Sequence, residues 1–231
     1  MNTDILATIT KSIGRKSLYH FARSGNLEAM AHFDAFMSSY ALDPLDSRRR
    51  RTTAKQVVYQ GFTVTLNAHL RIPDSMIDPS TTQEQFREAL NRHVFLWPTK
   101  KDCQKMLDTY SRREPDGTFA VFELDAYSLL ASHYDRVKLA KYDSGSAPRF
   151  PKHCSYRKSP DLFLPIDHFM QVSSSIVPVK ASEIKEVLVE HRIDHVSAHL
   201  RAIYVDEAMA VPARWRQIVK PLDDLRRKEE G

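Results

Sequence analysis

The chain has 231 residues, 42% of them hydrophobic, which is enough for one large domain with a real core, and its 34 Lys and Arg against 29 Asp and Glu give a formal charge of +5 and an isoelectric point near 9.1. That excess favours an anionic partner without establishing nucleic-acid binding by itself. Two cysteines, Cys103 and Cys154, with no CxxC pair support neither a disulfide framework nor a zinc site, no apolar run reaches the roughly 18 residues of a membrane span, and the six glycines form neither GxGxxG nor GxxxxGK[ST]. Met1-Asn2-Thr3-Asp4 does not open like a signal peptide, so a reducing cytoplasm, no membrane partner and no metal are expected, with any nucleotide held outside a Rossmann or P-loop frame.

Ile5, Leu6, Ile9 and Ile13 recur at helical spacing, predicting an amphipathic helix within residues 1–16 that ends near Gly14 and could serve as a lid or a docking element. Leu18-Tyr19-His20-Phe21 predicts a strand, after which Ser24 or Asn26 can cap a helix with an apolar stripe of Leu27, Met30, Phe33, Phe36 and Met37. A lone histidine in an apolar run, such as His20, is more often a satisfied core residue than a ligand contact. Arg48-Arg49-Arg50-Arg51 then presents four guanidinium forks in succession. Such a run is either a solvated, generic phosphate-attracting face or, more sharply, one arginine turned inward onto the diphosphate of a dinucleotide while its neighbours face nucleic acid.

Val57-Val58-Tyr59 and Phe62 to Leu66 carry strand composition broken at Gln60-Gly61, and Asn67, Arg71 and Asp74 fall in the loop beyond. Thr82 caps a helix through Leu90, and Val94 to Pro98 predicts a short strand whose alternation puts Phe95 and Trp97 on one face, as core or as a stacking surface for a flat ring. Residues 101–110 and 126–133 predict helices, 119–124 and 137–139 strands. Residues 141–160 predict a basic loop in which Arg149, Lys152, Arg157 and Lys158, interleaved with Phe150 and Tyr156, have the mix that grips single-stranded nucleic acid. A strand begun at Lys185 puts Glu186 and Leu188 on one face, Arg201 to Val205 predicts a last strand, and residues 212–231 an amphipathic helix. No repeat or second boundary divides residues 1–231, so a single domain is expected.

The order of Leu18-Tyr19-His20-Phe21 with Asn26-Leu27 beyond it, an arginine cluster, the aromatic strand Val94 to Trp97, and Glu186-Val187-Leu188-Val189 before a final Ile/Val strand resembles the DarT-type ADP-ribosyltransferases over residues 17–205. More closely, it is similar to an uncharacterised bacterial family related to them. The resemblance implies an α+β fold, an ADP-ribosyltransferase-like split β-sheet sandwich with flanking helices, with NAD as substrate in the cleft of the split sheet. Carried over by position, His20 would contact the nicotinamide-side ribose with Phe21 and Asn26 beside it. Arg51, with Arg50 as rival, would be a catalytic residue near the cleft that neutralises the diphosphate and fixes the leaving geometry, Phe95 or Trp97 would flank the nicotinamide, and Glu186 would be the catalytic carboxylate.

Breaking the bond from ribose C1 to nicotinamide builds positive charge on the sugar, and a carboxylate can stabilise that charge or take the proton of the acceptor nitrogen or oxygen. Glu183 and Glu190 compete with Glu186 for that part. The expected activity is a mono-ADP-ribosyl transfer from NAD to nucleic acid, with Arg48, Arg49 and the basic loop facing the acceptor. The resemblance adds a toxin or anti-phage role and an antitoxin partner. A catalytically inactive nucleic-acid-binding module and a protein-modifying transferase stand as alternatives.

Overall fold

The computed structural model describes residues 1–148, 150–171 and 174–226, the side chains of Lys152 and Met209 excepted. Asn2 accepts from the amides of Asp4 and Ile5 and so starts α1 (Thr3–Ile9), which buries Leu6 and Ile9 in the main core. The expected lid or docking helix reaching Gly14 is thereby corrected. Its apolar pair faces inward, and the helix stops at Ile9.

β1 (Ser17–Arg23) leads through a turn at Ser24–Asn26 into α2 (Leu27–Phe33) and β2 (Ala35–Met37). α2 is shorter than its predicted stripe because Asp34 is left-handed, at φ 47°, and ends the helix, sending Phe36 and Met37 into a strand. After α3 (Ser39–Leu42), β3 (Lys55–Tyr59) and β4 (Phe62–Leu66) form a hairpin. Its two turn residues, Gln60 and Gly61, have φ of 48° and 87°, the positive values that match the twist of paired strands.

Thr82 and Gln85 make a reciprocal capping box for α4 (Gln83–Asn91), whose inner face is Phe86 and Leu90. β5 (His93–Leu96), α5 (Lys100–Arg113), β6 (Phe119–Asp125), α6 (Ala126–Ser132) and β7 (Val137–Ala140) follow close to their expected bounds. β8 (Leu164–Pro165), β9 (Glu186–Glu190), β10 (Arg192–Asp194), β11 (Leu200–Val205) and β12 (Val219–Pro221) complete the strands. The helix expected over 212–231 is not formed. Pro221 would deprive it of a donor in mid-course, and β12 instead pairs parallel to β11 between two short 3-10 turns. Residues 227–231 of that expectation lie outside the described residues.

The fold is mixed α+β. One four-stranded sheet runs β1-β6-β11-β12 and a second β5-β9-β7-β8, with β2 paired to β10 and the β3–β4 hairpin beside them. The main core lies between the two larger sheets: Leu18, Phe122, Leu124 and Ile203 meet Val94, Leu96, Val187 and Leu139, with Phe36 fully buried among them. α5 covers the outer face of the first sheet through Cys103, Leu107 and Tyr110. α4 covers the second sheet through Phe86 and Leu90 against Ala140 and Leu188. Among the described residues no helix is long and apolar enough to cross a membrane.

Candidate active site

The two larger sheets touch edge to edge at one point. Tyr19 of β1 and Trp97, just past β5, exchange both backbone hydrogen bonds, at 2.9 and 2.8 Å. In an antiparallel ladder the next bonded pair would be Phe21 with Phe95. The Phe95 carbonyl is instead taken by the imidazole of His20, at 2.8 Å from Nδ1. A carbonyl only accepts, so Nδ1 carries the proton and Nε2 is left as an acceptor. The ring lies flat on Phe36 with centroids 4.3 Å apart, and burial pushes its pKa down to about 4 despite the hydrogen bond to Phe95. His20 is therefore neutral at pH 7, wedged where the sheets part.

A cleft of about 520 Å³ opens at this parting, within the usual range for small-molecule sites. His20, Phe21, Asn26, Arg50, Arg51, Phe95, Trp97 and Glu186 all line it. Glu183 and Glu190 do not: Glu183 accepts from the Val179 amide and pairs with Lys141, and Glu190 lies beside His191.

Glu186 is 1% exposed at the head of β9, where the register pairs Leu188 with Phe95 and so puts Glu186 on the face of Trp97. Its Oε2 accepts from the Ser144 amide at 3.0 Å and the Ser144 hydroxyl at 2.5 Å, while Oε1 is buried with no partner among the described residues. Burial first, then the neighbouring Asp143, pushes the carboxyl up to about 8, against the Ser144 bonds and the charge of Lys158. At neutral pH it is mostly protonated. A cation entering the cleft would favour the ionised form and draw the proton off.

Arg51, 8% exposed, makes the other polar wall. Its Nε donates to the Asn67 carbonyl at 3.1 Å and one terminal nitrogen to Ser39 Oγ at 3.1 Å and Asn91 Oδ1 at 3.0 Å. Its backbone amide donates to His69 Nδ1 at 2.9 Å, so His69 must hold its proton on Nε2, which donates to the same Asn91 oxygen at 3.0 Å. Asn91 in turn donates to the Ser47 carbonyl. Burial, then the charge of Arg51, pushes His69 down to about 4. Sequence reasoning passed over His69, Arg87 and Asn91. The signal was there in part, because Arg87 and Asn91 sit four apart on α4, as do the apolar Phe86 and Leu90.

Other expected contacts take different places. Asn26 does not cap α2; its amide pairs edge-on with the backbone of Thr65, accepting at 2.8 Å and donating at 2.9 Å, which ties the turn after β1 to the hairpin. Phe21 lines the cleft but packs its ring on Tyr110 and Phe119. Arg48 pairs with Glu88 at 2.6 Å and Arg49 with Asp46 at 3.6 Å, both on the open surface.

Lys158, expected to face nucleic acid, is fully buried, and this is a correction. Its ammonium donates to the carbonyls of Asp143 and Ser144 at 2.6 and 3.0 Å, because the loop folds back over Glu186 rather than extending into solvent. Tyr156 stacks on Tyr142 at 3.9 Å, leaving one ring face at most for a base, and Arg157 is exposed. Arg149 lies outside the described residues, as does the side chain of Lys152. Among the described residues, no three His, Cys, Asp or Glu side chains converge as metal ligands.

The arrangement is thus a neutral imidazole acceptor, two aromatic side chains from one strand face and a buried carboxyl poised to ionise, gathered where two sheets diverge. Comparison with curated proteins finds no match. A family model matches residues 16–200, four-fifths of the chain and every described element of the cleft, and the protein belongs to that family, DUF7002, a family of unknown function.

Proposed function

We propose that the protein is an NAD-dependent mono-ADP-ribosyltransferase acting on nucleic acid, built on an ADP-ribosyltransferase-like split β-sheet sandwich. The observation that carries this is the gathering of His20, Arg51, Phe95, Trp97 and Glu186, far apart in sequence, around one cleft. The positive nicotinamide ring settles against the aromatic face of Phe95 and Trp97, and its charge ionises Glu186. Nε2 of His20 accepts from a ribose hydroxyl. The C1–nitrogen bond breaks with its electron pair leaving on nicotinamide, the acceptor nitrogen or oxygen forms the new bond to C1, and its proton passes to the Glu186 carboxylate. Arg51 holds the wall of the cleft through its bonds to Asn67, Ser39 and Asn91 and adds positive potential there. A toxin or anti-phage role with an antitoxin partner rests on the DarT resemblance alone.

The test is incubation of purified protein with NAD labelled in the ADP-ribose moiety and with DNA, RNA or protein. Label on nucleic acid, removed by nuclease and abolished in Glu186→Gln, supports the proposal. Label that survives nuclease and falls to protease points to a protein acceptor. Neither labelling nor NAD consumption, with Glu186→Gln and wild type alike, leaves a nucleic-acid-binding module without catalysis.

A further inference from the structure

Five arginines line the cleft, Arg23, Arg50, Arg51, Arg71 and Arg87, against the carboxylates Asp74 and Glu84 and the largely protonated Glu186. They are not equivalent. Arg23 is neutralised by Glu114 at 2.5 Å, and three of the donors of Arg51 end on neutral protein groups. Arg87 has a single hydrogen bond among the described residues, from one terminal nitrogen to the Arg48 carbonyl at 2.6 Å, and this aims the guanidinium without neutralising it. Arg50 and Arg71 form no hydrogen bond or ion pair among the described residues. Glu84 attracts the Arg87 guanidinium without a hydrogen bond or ion pair to it among the described residues, Arg50 and Arg87 are close enough to repel one another, and both press on His69.

Like-charged guanidinium groups set together at the wall of a concave site are relieved by an anion with several acceptor oxygens, and a phosphate group matches their forked donors. We infer that Arg50 and Arg87 form a phosphate-binding site at the mouth of the cleft that Arg71 also lines, distinct from the buried Arg51 that braces its wall. The phosphate is either that of a dinucleotide such as NAD or that of a nucleic-acid strand crossing the mouth. Arg48, Arg49 and Arg157, which lie outside the cleft, are not part of it. The site needs no transfer chemistry and stands or falls separately from it.

The experiment titrates wild type, Arg50→Ala, Arg87→Ala and the double variant with three probes: NAD, a single-stranded oligonucleotide and inorganic pyrophosphate. Arg226→Ala, at the exposed Asp223 pair outside the cleft, is the control, and circular dichroism checks each fold. Each single variant is expected to lose about tenfold or more in affinity for the phosphate-bearing probe, with Lys at either position restoring part of it. If the strand is the ligand, the slope of log affinity against log salt also falls by about one per arginine removed, with NAD affinity unchanged. If the dinucleotide is the ligand, the NAD and pyrophosphate arms move and the oligonucleotide arm does not.

Folded variants that bind every probe as wild type does overturn the site, as does a wild type that binds none of the three. NAD consumption by variants with unaltered affinities would remove the phosphate site and keep the transferase. Arginine-dependent oligonucleotide binding in a protein that never consumes NAD would do the reverse.

Discussion

Arg51 and Glu186 both line the cleft and both are buried, yet their surroundings treat them oppositely. The guanidinium is met by a carbonyl, a hydroxyl and an amide oxygen, each belonging to a neutral group, and keeps its charge within a network that runs on through Asn91 and His69. The carboxyl has two donors on one oxygen and none on the other, and is held neutral. A buried cation held by three fixed oxygens, which stays charged at any ordinary pH, behaves as scaffold, whereas a buried carboxyl with one oxygen left unpartnered is ready to change state when a charged ligand arrives.

The strongest challenge to this contrast is Arg51→Ala, which should cost about 3–5 kcal/mol by urea denaturation because it strands Asn67, Ser39 and Asn91 in the interior. A loss within experimental error would mean that Arg51 is not a brace. Glu186→Gln should lower kcat at least about a hundredfold, on the order of 3 kcal/mol, while preserving the fold.

The pH dependence of stability separates the two further. The folded pKa of Glu186, about 8, lies above its unfolded value, so its protonated form supplies stability that is fully present below the ordinary carboxylate range and is lost as pH rises through 8. Between pH 5 and 8 the Glu186→Gln variant should therefore lose less stability than wild type, with the two curves parting toward the alkaline end. Calorimetry in buffers of differing ionisation enthalpy should also show NAD binding at pH 7 releasing a proton from wild type and none from Glu186→Gln. Equal proton release would place the ionisation elsewhere.

Smaller effects sharpen the two walls. Lys158→Met should cost about 2 kcal/mol and speed amide exchange in residues 143–146, since the ammonium holds that loop by its carbonyls. Asn26→Ala should cost about 1–2 kcal/mol through its two bonds to Thr65 and loosen the hairpin. Arg48→Ala, an exposed ion-pair partner, should change stability by less than about 0.5 kcal/mol in thermal melts, and a larger loss would show that the surface run is structural.

Much of the local structure was legible in the sequence. An apolar run marks β1, alternation marks the face shared by Glu186 and Leu188, Thr82 marks the start of α4, and Gln60-Gly61 marks the break between the hairpin strands, because each depends on near neighbours with a fixed period, cap or dihedral demand. The same local rules missed the left-handed Asp34 that stops α2 and treated Pro221 as helical, since pairing of β2 with β10 and of β12 with β11 supplies bonds that no window of sequence contains.

The order of the motifs, through the DarT resemblance it carries, also nominated His20, Arg51, Phe95 and Glu186 as candidates. The sequence could not say that the His20 ring would take a carbonyl from the sheet edge, that Arg51 would be buried while Arg50 stayed in the open, or that Lys158 would turn inward to hold the loop over Glu186. Burial and charge state are properties of what surrounds a side chain, and here the surroundings come from strands and loops tens of residues away. The residue types were therefore set by the chain itself, while the protonation of Glu186 and the choice between brace and anion contact among the arginines were decided by tertiary packing.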